Sequence, residues 1–153
     1  MSADRFGKRF KSALGEYVTY LLDMLEIRDW RIRLDSTPPD DVECAAEIKC
    51  VYGRRTAGIK LSRDFFDFPP DDQRHYIVHE LCHVLTDGLD NVIENGVESL
   101  IGKPAFTVLV EAWHVQLEYL TDHLAYIVEG LIAGGKRGDR LWKAVIAAEQ
   151  RDA

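Results

Sequence analysis

The chain has 153 residues, which gives one domain with room for a proper hydrophobic core. An apolar content of 46% marks the chain as globular rather than disordered. Acids outnumber Lys plus Arg by 26 to 19, for a formal net charge of −7, which argues against nucleic-acid binding as the main role.

In chain order, residues 3–26 read as an amphipathic helix, because Phe10, Leu14, Val18, Leu21, Leu22 and Leu25 recur at helical spacing. Residues 30–34 alternate in polarity and read as a strand, ended by Pro38-Pro39. Residues 42–51 read as a second strand, Tyr52-Gly53-Arg54-Arg55 as a turn and residues 56–62 as a third strand. Pro69-Pro70-Asp71-Asp72 supplies proline and acids to the first turn of a helix, and Thr86-Asp87-Gly88 supplies its stop. A loop from Gly88 to Lys103, with Asn95-Gly96 inside it, is long enough to form a lid or cleft rim. A long helix follows over about residues 104–131, with Trp113, Leu117, Leu120, Leu124 and Ile127 on one face. Gly134-Gly135 breaks the chain before a last helix at about 139–150. The expected fold is α+β: a three-stranded antiparallel sheet on an N-terminal helix, then two helices bearing polar clusters, then a closing helix.

The chemistry concentrates in His79-Glu80-Leu81-Cys82-His83, an HExxH motif. On a helix the two histidines lie one turn apart on one face, where both imidazoles can bind one Zn²⁺. Glu80 then sits beside the metal, placed to deprotonate a water rather than to ligate. The flanking residues Ile77, Val78, Leu81, Cys82, Val84 and Leu85 are apolar at helical spacing, so the helix packs in a core. Buried polar side chains need partners, and a metal supplies them. The motif therefore points to a metal-dependent hydrolase of peptide bonds.

A zinc site needs a third protein ligand. On the long helix Glu111, His114, Glu118 and Asp122 share a face that carries no Lys or Arg. Acids without basic partners repel one another, and a cation facing them accounts for the pattern. Glu118 and Glu111 are both open as ligands on this ground. Asp87 sits four residues after His83 but in a pattern that does not otherwise match a ligand.

Glu118-Tyr119-Leu120-Thr121-Asp122, downstream of HExxH, resembles the ExxxD element of the gluzincin group of zinc metallopeptidases. The resemblance implies Glu118 as third ligand, ahead of Glu111, and Asp122 as acceptor of a hydrogen bond from His79. A ligating histidine commonly gives its other N–H to such a carboxylate. The resemblance covers two helical segments and implies a minimal zincin-like fold. In length, and in the run Glu118–Ala125, the chain more closely resembles compact metallopeptidases of phage and prophage genomes. The metzincin pattern HExxHxxGxxH is excluded, because residues 84–89 are Val-Leu-Thr-Asp-Gly-Leu. In zincins the strand before the HExxH helix borders the cleft, which makes Gly58-Ile59-Lys60-Leu61 the expected edge for an extended peptide.

The expected mechanism places Zn²⁺ on His79, His83 and Glu118, with Glu80 as general base. An oxyanion donor is drawn from His114, His123, Tyr119 and Tyr126. His114, one turn before Glu118 on the ligand face, is the preferred one. His75, one turn before His79, reads as a surface or supporting residue. The expected partner is a protein or peptide substrate, with no nucleic acid, no membrane and no oligomeric state implied. The alternative is a zinc-stabilised binding or regulatory module without turnover. Such a structural site is usually closed by a fourth ligand, often Cys; no obvious one stands in the sequence, and Cys44, Cys50 and Glu111 are the residues open to that role.

Cys44, Cys50 and Cys82 lack CxxC spacing and read as reduced, packed thiols of a cytoplasmic protein. Residues 1–20 show no apolar core followed by a cleavage site, and no run is long enough to span a membrane.

Overall fold

A computed structural model describes residues 5–51, 53–133 and 135–152. The order of elements is α1 (Lys8–Met24), β1 (Arg31–Leu34), β2 (Ala46–Cys50), β3 (Thr56–Leu61), a single 3-10 turn (Phe65–Asp67), α2 (Pro70–Gly96), α3 (Glu98–Ile101), α4 (Lys103–Ala133) and α5 (Lys136–Asp152). The α+β class and the helix–sheet–helix order match the sequence expectation. Of the expected turn at 52–55 and the Gly134-Gly135 break, Tyr52 and Gly134 lie outside the described residues.

The sheet differs from expectation. It is mixed, in the order β1-β3-β2, with β1 parallel and β2 antiparallel to β3. Two connections explain this. The turn between β2 and β3 is tight: Arg54 N–H donates to Val51 O over 3.0 Å and Gly53 takes φ +68. A tight turn can join only antiparallel neighbours. The excursion from Asp35 to Ala45 is longer and holds Pro38-Pro39, so β2 can be laid down one slot away from β1. β3 fills that slot. It is therefore the central strand, with Ala57, Ile59 and Leu61 buried in alternation, and Gly58–Leu61 is not an edge. The outer strand on the side of α2 is β2.

One core joins α1, the sheet, the first half of α2, α4 and α5. Tyr17, Leu21, Leu61, Ile77 and Leu81 are fully buried in it. α5 packs along α1 and brings the far end of the chain back to its start. The Asp152 carboxylate accepts the Phe10 N–H over 3.0 Å, in the first turn of α1. Gly7, the residue before that turn, has no room for a side chain: a Cβ there would run into the Asp152 carboxylate.

α2 starts as expected, with Pro70 in its first turn and Asp71 and Asp72 facing the positive end of the helix dipole. It does not stop at Gly88. A glycine inside a helix costs about 1 kcal/mol relative to alanine, and packing along α4 outweighs that cost. The segment expected as a loop from Gly88 to Lys103 is thus the second half of α2, the short α3 and Gly102 at φ +79. No lid is formed by it.

α4 turns only part of its apolar face inward. Leu117, Thr121, Ala125 and Val128 are buried, Trp113 and Leu124 are half-buried, and Leu120 and Ile127 stand in solvent. The small Thr121 and Ala125 let α4 approach α2 closely, which is what the carboxylates on that flank need to reach the histidines.

Candidate metal centre

The first half of α2 and the middle of α4 meet along a row of polar contacts. His75 Nδ1 lies 2.8 Å from Glu129 Oε2, and His79 Nδ1 lies 2.8 Å from Asp122 Oδ1. His79 Nε2 lies 3.3 Å from Glu118 Oε2, and His83 Nε2 lies 3.4 Å from Glu118 Oε1. The spacings of 75, 79 and 83 on α2 repeat every turn, and Glu118, Asp122 and Glu129 recur on one flank of α4. Each helix contributes one polar stripe, and packing brings the two stripes together.

The two Nε2 atoms of His79 and His83 are 3.2 Å apart and face one another. A carboxylate can only accept, so His79 holds its proton on Nδ1, toward Asp122. In the neutral ring its Nε2 presents a lone pair toward a second imidazole nitrogen and a carboxylate, whereas in the protonated ring Nε2–H donates to Glu118. Electron-rich atoms converge in this way around a cation. Ligands about 2.0–2.1 Å from a tetrahedral zinc stand about 3.3–3.4 Å from one another. The separations of 3.2, 3.3 and 3.4 Å match that geometry. The ligand set of two imidazoles and one carboxylate is also one that zinc takes in sites with an open position. His79, His83 and Glu118 thus fit such an ion, and His79 and Asp122 fit the supporting pair behind it.

Electrostatics follow the packing. Burial pulls both imidazoles toward the neutral form. In His79 it is outweighed by the hydrogen bond to Glu118 and by the charges of Glu80, Glu118 and Asp122, so its pKa is raised. In His83 burial wins and the pKa is lowered. The hydrogen bond with His79 holds Glu118 below the usual carboxylate range.

Glu80 projects from the next position of α2 toward β2, where its Oε2 accepts the Ile48 N–H over 2.8 Å. Burial pushes its pKa up to about 7, against the opposing pull of His79 and of the Ile48 amide. A cleft of about 510 Å³ opens over this group. Its walls are β2 on one side and α2 on the other, and His79, Glu80, His83 and Glu118 all line it.

The other sequence candidates are placed as follows. Glu111 is exposed and joins no convergent ligand group among the described residues. Asp87 lines the cleft and accepts from the Asn91 amide over 3.1 Å, also outside any such group. His114 points its Nε2 at Glu94 Oε1, 2.8 Å away, and is not among the residues lining the cleft. Tyr119 and Tyr126 are exposed, and His123 bonds the backbone oxygen of Tyr119. His75 supports Glu129 beside the centre, as a supporting residue does. Cys82 is buried as expected, whereas Cys44 is exposed at the cleft rather than packed.

Sequence reasoning missed the acids beyond Gly88. Asp90 and Glu94 lie on the same helical face as His83 and Asp87, at spacings of three and four, and they extend the cleft wall. Continuing the helical spacing past Gly88 would have found them. Asp90 Oδ1 accepts the Trp113 indole N–H over 2.7 Å, which pins the second half of α2 to α4. It also missed Glu129, which repeats the spacing of Asp122 one heptad on. No protein-family model, curated protein or solved structure matches this chain.

Proposed function

We propose that the protein is a zinc-dependent hydrolase of peptide bonds built on a minimal zincin-like arrangement, with Glu80 as general base. The observation that carries the reading is the convergence of His79 Nε2, His83 Nε2 and the Glu118 carboxylate at 3.2–3.4 Å, beside a raised-pKa Glu80 in an open cleft. A zinc ion held by His79, His83 and Glu118 would supply a Lewis acid and a water of lowered pKa.

The chain's own residues do the rest. Asp122 fixes the His79 tautomer, which keeps the Nε2 lone pair on the cleft side. Glu80 holds the Ile48 amide with Oε2, which leaves Oε1 to take a proton and return it to the leaving nitrogen. In the metal-free protein burial raises the Glu80 pKa to about 7, and a bound zinc ion would draw it back toward the ionised form that a base needs. β2, the outer strand, runs along the cleft, so an extended peptide or protein segment is the substrate the shape favours. Among the described residues no helix is long and apolar enough to cross a membrane, and a cytoplasmic setting suits the three free thiols. In motif and length the chain resembles the compact metallopeptidases of phage and prophage genomes.

The test is elemental analysis of the purified protein beside Glu118→Ala, followed by cleavage of an unfolded protein substrate. The expected result is about one zinc per chain in the native protein and much less in the variant. Glu80→Gln should keep the metal and lose turnover. A native protein that takes up no zinc when supplied with it would overturn the reading. A Glu80→Gln variant with unchanged function would point instead to a zinc-stabilised binding module.

A further inference from the structure

A cavity of about 650 Å³, larger than the cleft, lies at the other edge of the sheet, along β1 where the cleft lies along β2. Its walls bring together Arg31 and Arg33 of β1 and Arg54 of the turn between β2 and β3, with the hydroxyls of Ser36 and Thr56 beside them. β1 alternates exposed and half-buried residues, so Arg31 and Arg33 share the face turned away from the core.

Unbalanced charge is the first observation. Neighbouring cations of the sheet are paired: Lys49 and Lys60 with Asp40, and Arg55 with Asp29. Among the described residues, the side chains of Arg31, Arg33 and Arg54 have neither an ion pair nor a hydrogen bond. Asp35 is the one acid among the described residues that line the cavity. Its Oδ1 is taken by the N–H and the hydroxyl of Thr37, each at 3.0 Å. The wall thus keeps an excess of positive charge, in a chain of net charge −7.

Gly58, in the central strand, is the second. It sits in unbroken register opposite Arg33 of β1 and Lys49 of β2, so no bulge requires it, and its φ is not positive. A Cβ there would meet nothing nearer than Asp35 Oδ2 at 3.8 Å, so no packing requires it either. A glycine inside a strand weakens the strand, and one that neither a bulge nor a bend explains marks a place where another molecule comes close to the backbone. Gly58 lines the cavity as a stretch of bare backbone beside the arginines.

We infer that this cavity binds a small molecule carrying two or more linked phosphates, held by Arg31, Arg33 and Arg54. The guanidinium fork matches phosphate oxygens two at a time and gives up its water readily. Arg31 and Arg33 leave the strand about 6.6 Å apart, so linked phosphates can engage both at once. The Ser36 and Thr56 hydroxyls can donate to the oxygens that remain. The volume falls within the roughly 300–1,000 Å³ of small-ligand sites. Nucleic acid is the poorer occupant, because its long row of phosphates would be repelled by the acidic chain around the site.

Isothermal titration of the native protein with inorganic triphosphate, and separately with ATP, at physiological ionic strength tests this. Both should bind. Arg33→Gln, an exposed change that leaves the fold intact, should weaken each by about tenfold or more, the worth of one charge-assisted hydrogen bond. Gly58→Val should weaken each as well while keeping the native circular dichroism, since valine suits a strand. Should it unfold, Arg31→Gln takes its place. Phosphates also ligate zinc, so the titration is repeated on Glu118→Ala, which should bind triphosphate as the native protein does whether or not the metal centre exists. ATP binding more tightly than triphosphate would make the ligand a nucleotide, and equal binding would make the phosphate chain sufficient. A native protein that binds neither overturns the inference. So does binding that survives Arg33→Gln and the second variant, or that Glu118→Ala abolishes. A single-stranded oligonucleotide that binds through Arg33 more tightly than either probe would also overturn it.

Discussion

Asp122 Oδ1 sits 2.8 Å from His79 Nδ1, on the far side of the imidazole from Glu118. One ring thus connects two carboxylates of α4, one through each nitrogen. The carboxylate at Nδ1 holds the proton there, and in the neutral ring the lone pair at Nε2 is the result. Because Glu118 and Asp122 are one turn apart on one helix, as are His79 and His83 on the other, a shift of either helix along its axis would break the whole group at once.

Asp122→Asn should therefore weaken zinc binding without abolishing it. The amide can still accept from Nδ1, but it lacks the charge that raises the basicity of the ring. Loss of such a supporting carboxylate costs roughly 10–100-fold in metal affinity. Competition with a chromophoric chelator measures it. An unchanged affinity would mean that Asp122 does not support a ligand.

Glu80 gives a pH-dependent stability prediction in the metal-free protein. Its folded pKa of about 7 lies above the ordinary carboxylate value of 4.5. The native state therefore holds a proton that the unfolded state has released between those two pH values. Stability falls as pH rises through that window, and the full cost is present above pH 7. Glu80→Gln removes the charge and keeps an acceptor for the Ile48 amide. It should raise stability by about 2–3 kcal/mol at pH 8 and change little at pH 4. Urea unfolding at the two pH values checks it, and an equal effect at both would show that Glu80 is not burdened by its charge.

Zinc should stabilise the fold. A ligand at a hundred times its dissociation constant adds about 2.7 kcal/mol, which for a chain of this size raises the melting midpoint by roughly 5–10 °C. Thermal denaturation with zinc and with excess chelator measures the difference. Glu118→Ala should erase it.

Asp152→Ala should destabilise the protein by about 1 kcal/mol, the typical worth of a residue that caps a helix start. The side chain supplies both an acceptor for Phe10 N–H and a negative charge at the positive end of α1. Amide exchange at Phe10 should accelerate more than at residues in the middle of α1. Equal acceleration along the helix would assign the loss to something other than the cap.

The sequence made the HExxH helix legible because its period, its buried face and its polar pair all fall within one short stretch. The stripe that holds Glu118 and Asp122 was legible too, since a run of acids without basic residues on one helix face is a local signal, and the resemblance to the gluzincin ExxxD element singled those two out of it. The parallel pairing of β1 with β3 was not. It depends on which slot the chain skips between residues 35 and 45, and no local pattern encodes that. Gly88 misled because its helix cost is visible in sequence, while the packing of α2 along α4 that outweighs it is not. The inward face of α4 was not legible for a related reason. Leu120 and Ile127 are more apolar than Thr121 and Ala125, but the small residues are the ones that let the two polar stripes touch.

The bond from Ile48 N–H to Glu80 Oε2 has a consequence for the sheet itself. β2 is an outer strand, and its outward amides are open to pairing with any extended chain. Ile48 sits at the middle of the five-residue strand, and its outward donor is already occupied. The acid that would move protons in the cleft thereby also guards the sheet against edge-to-edge self-association. Replacing Glu80 with alanine would free that amide at the centre of the strand, and the variant should gain a tendency to aggregate that Glu80→Gln does not share.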